Sequence, residues 1–107
     1  MRSIEYVYVL SPEGTDRLRV RAQRIGREIV SFAVQYEACL QGTWRPVVRF
    51  DTAHGFAHRD LLHPDGRVDK NPLPWQNYTV ALTFATQELK AQWVHYRQRY
   101  EEELHAS

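Results

Sequence analysis

The sequence predicts an α+β fold: an antiparallel sheet of five or six short strands, with one long C-terminal helix packed across it. Three observations carry this. Up to about residue 70, apolar and polar side chains alternate in runs broken by Gly and Pro. From about residue 77, apolar residues instead recur every three or four positions. The chain has 107 residues, 43% of them hydrophobic, which fits one domain with one small core. A single domain over 1–107 is expected, with its sheet at about 3–70 and its helix at about 77–104.

Ile4-Glu5-Tyr6-Val7-Tyr8-Val9-Leu10 is rich in β-branched and aromatic residues and reads as the first strand. Ser11-Pro12-Glu13-Gly14 is a turn, in which Pro pre-sets φ and Gly accepts a positive one. From Asp16 to Arg24, Leu18, Val20 and Ala22 point one way while Arg17, Arg19 and Arg21 point the other. That is a half-solvated strand with a basic outer face. The arginine row reads first as a solvated face, with a phosphate-facing surface as the alternative. Gly26 punctuates, and Glu28 to Leu40 forms a third, longer strand.

Gln41-Gly42 supplies the next turn, and Thr43 to Thr52 is the fourth strand. Pro46 cannot donate to a ladder, so it belongs near an edge or a bulge. Val48 and Phe50 share one face of this strand, and Val47, Arg49 and Asp51 share the other. A turn at His54-Gly55 leads into a short fifth strand from His58 to Leu62. His58, Asp60 and Leu62 lie on one side of it, and Arg59, Leu61 and His63 on the other. Pro64-Asp65-Gly66 turns the chain again, and Arg67 to Lys70 returns as a brief sixth strand. Asn71-Pro72-Leu73-Pro74 is expected to end the sheet.

The remainder reads as helix. Asn77 is its expected N-cap, with Thr79 and Thr83 as other candidates. Leu82, Ala85, Leu89, Trp93, Tyr96, Tyr100 and Leu104 form one apolar stripe. Residues 78 to 104 span about 40 Å of helix. Trp93, Tyr96 and Tyr100 read as core, and as a partner or homo-oligomer interface where the last turns overhang the sheet. Glu101, Glu102 and Glu103 oppose the helix dipole at its C-terminus. Fraying is expected there unless a partner's basic surface meets them.

Charge excludes little: 14 Lys and Arg face 13 Asp and Glu, for a net charge of +1. Only Lys70 and Lys90 are lysine, so the basic side chains are mostly the kind that grips carboxylate or phosphate bidentately. The single cysteine, Cys39, excludes an intramolecular disulfide framework and a Cys-based zinc site, and suits a reducing compartment. No signal-like leader and no run of about 20 apolar residues is present. A cytoplasmic protein without membrane contact is expected.

Chemistry concentrates between Val47 and His63, where two arginines, two aspartates and three of the five histidines gather. Three readings compete. In the first, Arg49, Asp51, His54 and His58 form an acid–base site acting on RNA. Histidine titrates near neutrality, so one ring can accept a proton while another donates one. Arg49 or Arg59 would steady the phosphorane oxygens, and Asp51 would orient a histidine. No metal or other cofactor is needed, and Arg59, Asp60 and His63 are additional members. In the second reading, Asp51, His54, His58 and His63 bind metal. This is weaker, because a Gly turn interrupts the His54–His58 spacing that would pair ligands on a helix. In the third, the residues are structural: Asp51 caps the turn, Gly55 takes a left-handed φ, and Arg49 pairs with Asp51 or Asp60. His58 and His63 have opposite parity, so a flat strand cannot present both to one site.

Arg49-Phe50-Asp51-Thr52-Ala53-His54-Gly55, followed by His58 and His63, resembles the Arg-Tyr-Asp-Asn…His-Gly…His…His signature of small bacterial TumE-type toxin proteins and related families of unknown function. Phe50 stands where Tyr is usual and Thr52 where Asn is usual, and the histidine pair is not adjacent. The resemblance covers about 17 residues, and the rest only by element order. It implies an antiparallel sheet followed by a helix, a toxin directed at RNA, and an antitoxin partner that neutralises it. The stretch is also similar to a group of bacterial proteins with an Arg-Tyr-Asp-Thr-Ala-His-Gly core, a likeness that implies no function. A non-catalytic binding or assembly domain is the alternative expectation.

Overall fold

The computed structural model describes residues 1–106. Strands β1 (Arg2–Val9), β2 (Asp16–Ile25), β3 (Glu28–Leu40), β4 (Thr43–Asp51), β5 (His58–Leu62) and β6 (Val68–Pro72) precede one helix, α1 (Tyr78–Ala106). The sheet order is β1-β2-β3-β4-β5-β6, with every neighbouring pair antiparallel. It is a simple meander, as short turns between consecutive strands require. The α+β fold with one helix across one face of the sheet is therefore the fold of this chain.

Alternation in the sequence becomes two faces. Leu18, Val20 and Ala22 stand opposite Tyr36, Val34 and Phe32 in the register, and Tyr36 and Val34 stand opposite Val48 and Phe50. All of these side chains are buried, together with Ala81, Ala85, Leu89, Tyr96 and Tyr100 of α1. Edge-to-face ring contacts knit the layers: Phe32 to Tyr78, Tyr36 to Trp93 and Phe50 to Phe84, with centroids 6.3, 6.3 and 6.0 Å apart. Between Tyr36 and Glu37 the register slips opposite Pro46–Val48, so Val47 is the extra residue of a bulge and is itself fully buried. Pro46 sits at that bulge, where its missing N–H breaks no ladder bond.

The helix is fastened at each end. Asn77 is the N-cap: its Oδ1 accepts from the amides of Thr79 and Val80 at 2.9 and 3.1 Å. Near the other end, Arg97 donates to both oxygens of the buried Asp16 carboxylate at 2.9 and 2.8 Å. Asp16 also accepts from the Tyr36 hydroxyl. Burial first, and the Asp16 bond second, push that phenol far above its ordinary range and keep it a donor. The helix runs through Glu101–Glu103 to Ala106. The basic groups needed there come from the chain itself: Arg97 meets Glu101 at 2.6 Å, Arg99 meets Glu103 at 2.8 Å, and His63 meets Glu103 at 2.7 Å. Tyr96 and Tyr100 lie inside this chain's own core, while Trp93 is partly buried.

Candidate functional site on the open face of the sheet

The face of the sheet away from the helix is crossed by two rows of register partners. One runs Glu5, Arg21, Ala33, Asp51, His58, Pro72 across all six strands. The other runs Val7, Arg19, Gln35, Arg49, Asp60, Lys70. Register partners in an antiparallel sheet share a face. The arginines of β2 therefore lie on the same side as Arg49, Asp51, His58 and Asp60.

Along the second row, charges are spaced by hydrogen bonds. Arg49 donates from Nε to Gln35 Oε1 at 2.9 Å, and Gln35 donates to Glu37 at 2.6 Å. Glu37 also takes Arg17 at 2.7 Å and Arg19 at 3.4 Å. Burial works to raise the Glu37 carboxyl, but the bonds from Arg17 and Gln35 and the charge of Arg19 outweigh it and hold the group below its usual range. Arg17 also stacks on Trp44, 3.7 Å from the ring centre. Arg19 and Arg17 are thus partly neutralised. Arg21 and Arg49 are exposed and make no ion pair among the described residues. These two line a groove of about 550 Å³ together with Glu5, Gln23, Ser31 and Asp51.

The loop between β4 and β5 sets the site's edge. Asp51 Oδ1 accepts the Ala53 amide at 3.0 Å, which is the turn cap expected of it. Thr52 ties the loop to β3 through Phe32, with bonds of 3.0 and 3.1 Å. Ala53–Gly55 then make one 3-10 turn. Gly55 has φ 84°, and His54 has φ 72° and ψ 14°, a left-handed conformation that a residue with Cβ adopts at a cost. The His54 side chain is exposed, with its ring centre 6.2 Å from that of His58.

His58 is the opposite case, with 1% of its surface exposed. Its Nδ1 faces the Phe56 carbonyl at 3.2 Å. A carbonyl only accepts, so Nδ1 carries the hydrogen. Nε2 then faces carboxylate oxygen: Asp51 Oδ1 at 2.9 Å and Asp60 Oδ1 at 3.6 Å. Lys70 Nζ closes the group, 3.3 Å from His58 Nε2 and 3.6 Å from Asp60 Oδ1. Asp60 Oδ1 is buried yet forms no hydrogen bond.

The structure thus brings Arg49, Asp51, His58 and Asp60 to one face, with His54 on the adjoining loop. Arg59 and His63 point to the helix side. Arg59 donates to the Tyr96 hydroxyl at 3.3 Å. His63 is gripped by Glu103 at Nδ1 and Asp69 at Nε2, both at 2.7 Å. The bonds to Asp69 and Glu103 hold its imidazolium and raise it above the usual histidine range. Arg49 does not pair with Asp51 or Asp60 but bonds Gln35. His54 and His63 are not among the donors that converge; Asp51, His58 and Asp60 are, with ligand atoms within 4.8 Å of one another. Sequence reasoning missed Lys70, and it named Arg21 in the arginine row without placing that row on this face. Lys70 stands beside Asp60 through the β5–β6 register, which strand parity alone does not fix.

No helix is long and apolar enough to cross a membrane. No curated protein matches the chain. No solved structure matches it either. A family model described as "Domain of unknown function (DUF7718)" matches residues 1–106, and the chain belongs to that family.

Proposed function

We propose that this chain is a toxin-like protein that acts on RNA at the open face of its sheet. One observation carries the reading: the two register rows set the exposed guanidiniums of Arg21 and Arg49 on the same sheet face as the Asp51–His58–Asp60–Lys70 cluster, and Arg21, Arg49 and Asp51 line one groove. A phosphodiester backbone is a row of anions, and guanidiniums on a sheet face are suited to track it. Cleavage at a 2′-hydroxyl needs a base, an acid and a cation at the phosphorane oxygens.

His54 is the group free to exchange a proton with substrate, because His58 is enclosed and both its ring nitrogens are engaged. The left-handed backbone at His54 fits a residue kept for its side chain rather than for its local stability. Arg49 and Arg21 hold the phosphate. Asp51 and His58 fix the loop that carries His54. The resemblance of Arg49–Gly55 to the toxin signature supports the same residues.

Induced expression in bacteria tests the reading. The wild-type chain is expected to arrest growth, and His54→Ala and Arg49→Ala to relieve the arrest while the protein still accumulates. A harmless wild type, or variants as toxic as it, would overturn the proposal.

A further inference from the structure

We propose that Asp51, His58 and Asp60 form a binding site for one divalent transition-metal ion, and that Lys70 is the resident cation which that ion displaces. The inference goes beyond the RNA reading and does not rest on it, because metal binding is measurable without RNA.

The orientation of the His58 ring fits an ion at Nε2. Histidines that bind metal through Nε2 ordinarily donate Nδ1–H to a carbonyl or carboxylate, which aims the other lone pair. His58 has that arrangement, with Nδ1 on the Phe56 carbonyl and Nε2 aimed at two carboxylates. An imidazole nitrogen set between carboxylates calls for a positive charge there, which a proton on Nε2, the Lys70 ammonium or a metal ion can supply. Nitrogen and oxygen ligands lie about 2.0 to 2.2 Å from such an ion, so their mutual separations are about 3 to 3.5 Å in tetrahedral or octahedral shells. Nε2 lies 2.9 Å from Asp51 Oδ1 and 3.6 Å from Asp60 Oδ1. Asp60 Oδ1 is buried without a hydrogen bond, and its nearest cation, Lys70 Nζ, stands at 3.6 Å, beyond hydrogen-bond reach.

Lys70 reaches this point on a flexible stem, and 41% of its side chain is exposed, so it can swing into solvent. One imidazole with two carboxylates suits a borderline divalent ion such as Zn²⁺ or Mn²⁺. Asp51 also lines the groove, so an ion held there borders the surface where phosphate would lie. The other histidine flanked by two acids lacks this property. Asp69 and Glu103 sit on opposite nitrogens of His63, whose lone-pair directions diverge, so no single ion meets both carboxylates.

The test uses the full chain without a histidine tag, titrated with Co²⁺ by visible absorption and with Zn²⁺ by calorimetry near pH 7. One equivalent is expected to bind. Asp60→Asn keeps the shape and is expected to weaken binding by at least about tenfold. Lys70→Ala removes the competing charge and is expected to tighten it. His63→Gln is expected to change nothing. The proposal is overturned if neither wild type nor Lys70→Ala binds one equivalent saturably. It is also overturned if binding survives Asp60→Asn but is lost in His63→Gln. Circular dichroism of each variant separates lost binding from lost fold.

Discussion

Two histidines in this chain each meet two carboxylates, and they are built for different ends. His63 gives one nitrogen to Asp69 and the other to Glu103, both at 2.7 Å. Both nitrogens therefore donate, the ring is an imidazolium, and its charge is fully answered. It joins the β5–β6 hairpin to the last turns of α1. His58 gives Nδ1 to a main-chain carbonyl and turns Nε2 alone toward Asp51 and Asp60. There one buried carboxylate oxygen is orphaned, and a lysine stands beside it. The composition of the two clusters is nearly the same. What separates them is which nitrogen the backbone takes, and which face of β5 the residue occupies. The His63 cluster clamps hairpin to helix; the His58 cluster, whose Asp51 lines a groove with Arg21 and Arg49, is the one we propose as a place for a ligand.

The sharpest way to break this comparison is to remove each ring. His58→Ala leaves the buried Asp51 and the half-buried Asp60 carboxylates without the ring they share and is expected to cost about 3 to 5 kcal/mol. His63→Gln, whose partners Asp69 and Glu103 are more exposed, is expected to cost only about 1 to 2 kcal/mol. Urea denaturation of both variants reads the order, and a reversed order would undo the distinction.

The second prediction concerns pH. The folded state raises His63 above its unfolded value of about 6.5. Its contribution is therefore complete below about pH 6.5 and is lost as pH rises through the higher folded value. Unfolding free energy measured from pH 6 upward should fall in the wild type and fall less in His63→Gln. Identical slopes would show that His63 is not held as a cation.

The smallest effect is expected at His54. Its φ of 72° is costly for any residue with Cβ, so His54→Gly should stabilise the fold by about 0.5 to 1 kcal/mol. The same variant should abolish growth arrest. A variant that is more stable and still toxic would remove His54 from the working site.

Much of this was legible in the chain. Alternation of Leu18, Val20 and Ala22 with Arg17, Arg19 and Arg21 set the two faces of β2, and the stripe from Leu82 to Leu104 set the helix. The sixth strand runs further than expected, through Pro72, because it is the sheet edge and a proline there can face outward without breaking the ladder. The helix end is firm because Arg97 and Arg99 stand one turn before Glu101 and Glu103, a pairing visible in sequence, while the reach of His63 to Glu103 was not. Parity separated His58 from His63 correctly. What the sequence could not carry was phase between strands. Slips at Gln23/Arg24 and Tyr36/Glu37 intervene between β2 and β5, and a one-residue slip exchanges the faces. Only the register places Arg21 in line with Asp51 and His58.

The central claim is that the working surface is the open sheet face and not the helix side. A backbone amide NMR titration of the ¹⁵N-labelled chain with a short single-stranded RNA reads this directly. Shifts are expected to concentrate at Arg21, Ala33, Arg49, Asp51 and His54. Shifts confined to Arg59, His63 and Glu103, or none at all, would contradict it.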